Sequence, residues 1–125
     1  MINFPRIAKA ITLEQMTRIS GAGNIHSDQK AAEKRGTRGP IAQGDQLAGY
    51  LNEMMVAALG GGYISGGEMS VSFIYPVRPG DTVFSFGEVA DEVATNGSRR
   101  VLCNVWLENQ NGQKVTVGTA SGIAP

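Results

Sequence analysis

The apolar residues of this chain change period part-way along it. Leu47, Leu51, Met54, Met55 and Ala58 recur at three- and four-residue spacing, which is the period of one face of a helix. Gly60-Gly61-Gly62 stops the pattern. Asp45 stands at its start and Glu53 in its middle, so few charges interrupt it, and a helix this apolar is expected to be nearly surrounded by protein. Beyond the glycines the period falls to two. Met69, Val71, Phe73 and Tyr75 alternate with other residues until Pro76, and 83–93, 101–107 and 115–121 also read as strands. Pro79-Gly80-Asp81 marks a turn, and Asn96-Gly97 and Asn111-Gly112 predict two-residue type I′ hairpins between the last three strands.

The first forty residues carry helix punctuation. Thr12-Leu13-Glu14-Gln15 has the capping-box pattern and predicts a short helix over 13–19, before Gly21 and Gly23. Ser27 is the predicted cap of a second short helix running through Asp28 and Ala32 to Gly36. The pattern as a whole predicts an α+β fold, one domain over 1–125, in which an antiparallel meander wraps a single long helix. Such a sheet leaves an edge strand open, and pairing with a second copy closes it, so a homodimer is expected.

Composition narrows the function classes. Eleven basic residues balance eleven acidic ones, which speaks against a nucleic-acid binder. Cys103 is the single cysteine and lies in an alternating apolar run, so it reads as a buried, reduced thiol. The first residues lack the basic start and apolar stretch of a signal peptide, and no apolar run approaches the roughly 20 residues of a membrane span. A cytoplasmic protein without a membrane partner is the expectation. No metal-ligand spacing, phosphate loop or nucleophile elbow is present.

Three motifs in order carry a resemblance. They are Ser20-Gly21-Ala22-Gly23-Asn24-Ile25-His26-Ser27-Asp28, then Gly39-Pro40-Ile41-Ala42-Gln43-Gly44, then Phe73-Ile74-Tyr75-Pro76-Val77-Arg78-Pro79-Gly80-Asp81-Thr82. Together with Asn109-Gln110-Asn111-Gly112 and Gly118-Thr119-Ala120, they make the chain similar to the MaoC-like hydratases and dehydratases of the hot-dog superfamily, which include the R-specific enoyl-CoA hydratases. The resemblance implies a hot-dog fold and an acyl-thioester substrate. It implies no cofactor beyond the coenzyme A or phosphopantetheine that belongs to the substrate, and it admits an acyl carrier protein as a partner. In the family pattern an Asp and a His together handle water and a proton. The His position is His26, but the Asp position is Ala22, and the loop is one residue shorter because a proline is missing.

Candidate residues follow. His26, the only histidine, is the acid–base candidate, since an imidazole with a reference pKa of about 6.5 exchanges protons near neutrality. Gly44 opens the apolar helix, where a free N–H and the positive end of the helix dipole would meet a thioester carbonyl, the oxyanion role that the resemblance implies. Asp45, next in the chain, is the candidate to replace the carboxylate lost at Ala22; Asp28 is a weaker one. Asn24, Gln43 and Asn52 are candidates for the substrate wall, Asn52 lying eight residues after Gly44. Lys30, Lys34, Arg35 and Arg38 form a basic cluster suited to coenzyme A phosphates or an acidic carrier surface, with Arg38 the substrate-binding candidate. Gly60, Gly61, Gly62, Gly66 and Gly67 read as a mobile loop near the substrate.

The function these residues predict is reversible hydration or dehydration of an enoyl thioester by a lyase using His26. The alternatives are an altered reaction such as isomerisation, elimination or cyclisation in a biosynthetic pathway, a thioesterase built on Asp45 or Glu53, and a binder without chemistry.

Overall fold

The computed structural model describes residues 1–125, with the side chain of Thr95 outside the description. In chain order the elements are β1 (Ala8–Ala10), α1 (Leu13–Ser20), α2 (Gln29–Lys34), α3 (Gly44–Leu59), α4 (Gly61–Ile64), β2 (Glu68–Phe73), β3 (Thr82–Thr95), β4 (Ser98–Glu108) and β5 (Lys114–Ile123). The strands form one antiparallel sheet in the order β1-β3-β4-β5-β2. Among the described residues, no helix is long and apolar enough to cross a membrane.

The capping box forms as read: Thr12 Oγ1 accepts from the Gln15 N–H, and Gln15 Oε1 accepts from the Thr12 N–H. The cap of α2 is Asp28, not Ser27: its Oδ1 accepts from the N–H groups of Lys30 and Ala31. A carboxylate there satisfies two free amides and meets the positive end of the helix as well. The Ser27 hydroxyl turns back to Asn24.

The core lies between α3 and the sheet. Leu47, Leu51, Met54, Met55 and Leu59 of α3 pack with Val101, Cys103, Val105 and Leu107 of β4 and with Val83 and Val115 from its neighbours. Burial pushes the Cys103 thiol up from its ordinary value, in keeping with a packed rather than reactive sulfur. The expectation that α3 is nearly surrounded needs correction. Asp45, Gly49, Asn52, Glu53 and Val56 make an exposed stripe, because five strands cover only one side of the helix.

Of three further local readings, one holds and two change. The Asn96-Gly97 hairpin is a two-residue turn with positive φ at both residues, 45° and 81°. The Asn111-Gly112 turn is longer, since the Asn109 carboxamide accepts from the Asn111 and Gln113 N–H groups and widens the loop between Glu108 and Lys114. The glycine-rich segment after α3 is not an open loop. It forms α4, packed so tightly on β5 that a Cβ at Gly62 would lie 2.0 Å from the Ile123 carbonyl oxygen.

Candidate active site

His26 sits in the loop between α1 and α2, and the loop is braced from within. Asn24 Nδ2 donates to the Ser20 carbonyl at 2.7 Å, and Asn24 Oδ1 accepts from the His26 N–H at 2.9 Å. Asn24 therefore shapes the loop with its own polar groups. Two bonds then clamp this loop to the segment leading into α3: the Ile41 N–H donates to the Ile25 carbonyl, and His26 Nδ1 lies 2.8 Å from the Ile41 carbonyl oxygen. A carbonyl can only accept, so Nδ1 carries the proton and the neutral ring keeps its lone pair on Nε2. That tautomer leaves one basic nitrogen for chemistry.

The Ile41 segment is in turn held on its other side, where the Ala42 N–H donates to the Val77 carbonyl at 2.8 Å. Three stretches of chain thus converge, and between them lies a cavity of about 360 Å³. His26 and Gly44 both line it, with Ile41, Ala42, Leu47, Phe73, Ile74, Tyr75, Pro76 and Val77 supplying the rest of the wall. The wall is almost wholly apolar, which strengthens any electrostatic contact made inside. Gly44 begins α3, and among the described residues nothing accepts from its N–H. The space beside it is tight, since a Cβ would meet the Phe73 ring at 2.6 Å unless the ring moved. Gln43, the cap residue, is tied by Oε1 to the Ser20 hydroxyl and so fastens α1 to the start of α3.

A second cavity, of about 530 Å³, shares Tyr75 and Pro76 with the first. Arg38, Arg78, Asp81, Asn109, Gln110 and Asn111 line it. Of the four residues in the predicted basic cluster, only Arg38 reaches this wall, and Arg78 joins it from the strand-proximal loop. Arg78 donates through Nη1 to the Gly39 carbonyl, while Asp81 is engaged by the Arg78 N–H and the Gln110 carboxamide. Among the described residues neither arginine has a carboxylate partner. Arg38 also holds a φ of 64°, a conformation that only a few per cent of non-glycine residues adopt.

Other predicted site residues stand apart. Asp45 is exposed and outside the wall of the His26 cavity, so within one chain it is not brought to His26. Asn52 is on the exposed stripe of α3, where its Oδ1 accepts from the Tyr63 hydroxyl. Burial raises the Tyr63 phenol above its ordinary value. Asp28 is committed to capping α2. Tyr75 and Arg78 were not among the sequence candidates, although both lie in the third motif. Among the described residues, no three His, Cys, Asp or Glu side chains cluster so as to hold a metal ion.

The sequence model of the MaoC like domain matches residues 11–110. The chain belongs to the MaoC-like domain family. Its structural neighbours include the MaoC-like dehydratase from Rhodospirillum rubrum, 20% identical, with a TM-score of 0.79 over 99% of this chain and 92% of that one. The (R)-hydratase from A. caviae involved in PHA biosynthesis is 23% identical, with a TM-score of 0.76 over 97% of this chain and 93% of that one. The R-hydratase PhaJ1 from Pseudomonas aeruginosa is 27% identical, with a TM-score of 0.71 over 97% and 79%. No curated protein matches the sequence. The sheet order and the long helix of this MaoC-like domain are those of the hot-dog fold, as the sequence motifs imply.

Proposed function

We propose that this MaoC-like domain adds water to an enoyl thioester or removes it from the hydroxyacyl product, with His26 as the acid–base group. The observation that supports this best is the pairing of a tautomer-locked imidazole with the glycine tip of α3 around one apolar cavity. An imidazole with Nε2 free can take a proton from water as its oxygen adds to C3. The negative charge then developing on the thioester oxygen would be met by the Gly44 N–H and the positive end of α3. Incubation with crotonyl-CoA tests the reading through loss of the conjugated thioester absorbance. Bound crotonyl-CoA that is never hydrated would favour the second reading, an altered reaction such as isomerisation. That reading is supported by the lack, among the described residues, of any carboxylate in the cavity wall. A thioesterase is less well supported, since Asp45 is exposed and Glu53 pairs with Lys9.

The second cavity suits the phosphates of coenzyme A or phosphopantetheine. Two guanidiniums without acidic partners stand beside the His26 cavity, and Arg38 is held in an unfavourable backbone conformation that a glycine would adopt freely. Arg38→Glu is expected to raise KM for a coenzyme A thioester about tenfold, the size of one charge-assisted hydrogen bond, with kcat little changed. The increase should shrink as salt is added. Steady-state kinetics at two ionic strengths check both points.

The working unit in this proposal is a homodimer. Strand β2 pairs only with β5, and Phe73 at its end and Ile74 just beyond it are 49% and 55% exposed. The open stripe of α3 is further surface for a second copy to cover. Sedimentation equilibrium is expected to give twice the chain mass at assay concentrations, and a monomer that turns over substrate would refute the dimer requirement.

A further inference from the structure

We propose that Tyr75 is the second proton-handling residue of this site, doing the work of the carboxylic acid that is absent at Ala22. The assignment rests on the hydration reading above and adds a catalytic residue to it.

The need for a second group follows from His26 itself. Its Nδ1 is committed to the Ile41 carbonyl, so Nε2 is the single nitrogen facing chemistry. Hydration forms two bonds at neighbouring carbons, oxygen to C3 and hydrogen to C2. One nitrogen that has just taken the proton of water at C3 is poorly placed to hand a proton to C2 at the same time. A separate donor removes that conflict.

Among the described residues, the wall of the His26 cavity holds two side chains that can exchange a proton, His26 and Tyr75. The rest of the wall offers hydrocarbon and backbone. The Tyr75 hydroxyl has no hydrogen-bond partner among the described residues, which leaves it free for a ligand. The backbone explains how the ring arrives there. The N–H groups of Ile74 and Tyr75 both donate to the Val115 carbonyl, at 2.9 and 3.3 Å. Two donors on one acceptor break the alternation of β2 after Phe73. Tyr75 therefore leaves the alternating row of Met69, Val71 and Phe73 and stands at the wall common to both cavities. A thioester with its acyl group beside His26 and its phosphate beside Arg38 would have to pass this ring.

The step balances. Water loses a proton to His26 Nε2 as its oxygen bonds to C3, and the C2–C3 π electrons move toward the thioester carbonyl. The resulting enolate oxygen is held at Gly44. The Tyr75 hydroxyl delivers its proton to C2, the carbonyl re-forms, and the imidazolium returns its proton to the phenolate through solvent. The enzyme ends as it began, and dehydration is the same sequence reversed.

The test compares the unaltered chain, Tyr75→Phe and His26→Asn with crotonyl-CoA, alongside binding of saturated butyryl-CoA. Tyr75→Phe keeps the ring, so KM and butyryl-CoA affinity should stay within about twofold while kcat falls about 10²-fold or more. Fluorinated tyrosines placed at position 75 should change kcat in the order of their acidity, which a purely structural ring would not produce. Full kcat in Tyr75→Phe, with activity lost in His26→Asn, overturns the Tyr75 assignment and leaves the hydration reading standing. Loss of kcat that is insensitive to fluorination also overturns a proton-transfer role. An unaltered chain that hydrates no enoyl thioester overturns the hydration reading first, and the assignment with it.

Discussion

A His26→Ala chain is expected to fold, to bind an acyl thioester, and to lose about 10²–10⁴ in kcat for hydration. The size follows from removing the base that takes the proton of water. It corresponds to about 3–5 kcal/mol of barrier. The structural cost is smaller. His26 is half-buried, and its substitution removes one side-chain bond to the Ile41 carbonyl, worth about 1 kcal/mol against a typical domain stability of 5–15 kcal/mol. His26→Asn separates the two roles, because an amide N–H can still reach Ile41 while no basic nitrogen remains. If both variants are inactive, the loss lies at Nε2. Restored turnover in His26→Asn would instead make His26 a brace for the Ile41 segment and would remove it from the chemistry. Unfolding midpoints of the two variants complete the comparison.

How much of this was legible in the sequence depends on how local the signal is. The capping box at Thr12, the helix through Leu47 and Met55, and the strands around Val101 and Val115 were readable because each rests on neighbours within a turn or a pleat. β1 was missed, since three residues carry too little period to register. Tyr75 reads in the sequence as one more member of the alternating row of Met69, Val71 and Phe73. The doubled bond to Val115 that turns it aside comes from a segment forty residues further on and leaves no local mark. Sequence spacing from Gly44 fixed the angles of Asp45 and Asn52 around α3. It could not say which side of α3 the sheet covers, and that side decides that both are exposed. Arg78 lay in a quoted motif, yet its place beside Arg38 depends on the Gly39 carbonyl it grips across the fold. Motif order, by contrast, pointed to the family and to His26 and Gly44, which the fold brings to one cavity from separate segments.

Gly44→Ala is the second large effect, and its cost to stability is far smaller than its cost to activity. The added methyl would start 2.6 Å from Phe73 Cε2 and 2.7 Å from Cζ, so the ring must move. Phe73 is 49% exposed, which lets it swing outward instead of straining a packed core. The repacking cost should therefore stay at the low end of the usual 1–3 kcal/mol for overpacking. Part of it is offset by helix propensity, where alanine is favoured over glycine by up to about 1 kcal/mol. The net change in unfolding midpoint should be a few degrees at most for a domain of this size. Activity has no such compensation. The methyl and the displaced ring occupy the space at the tip of α3 where a thioester oxygen has to approach the Gly44 N–H. Loss of a donor to a developing oxyanion costs about 10²–10³ in kcat. A folded Gly44→Ala chain with kcat reduced to that extent, beside a butyryl-CoA affinity that changes much less, is the expected pair of measurements. Equal losses in both would mean that the methyl merely blocks entry, and wild-type kcat would remove the tip of α3 from the transition state.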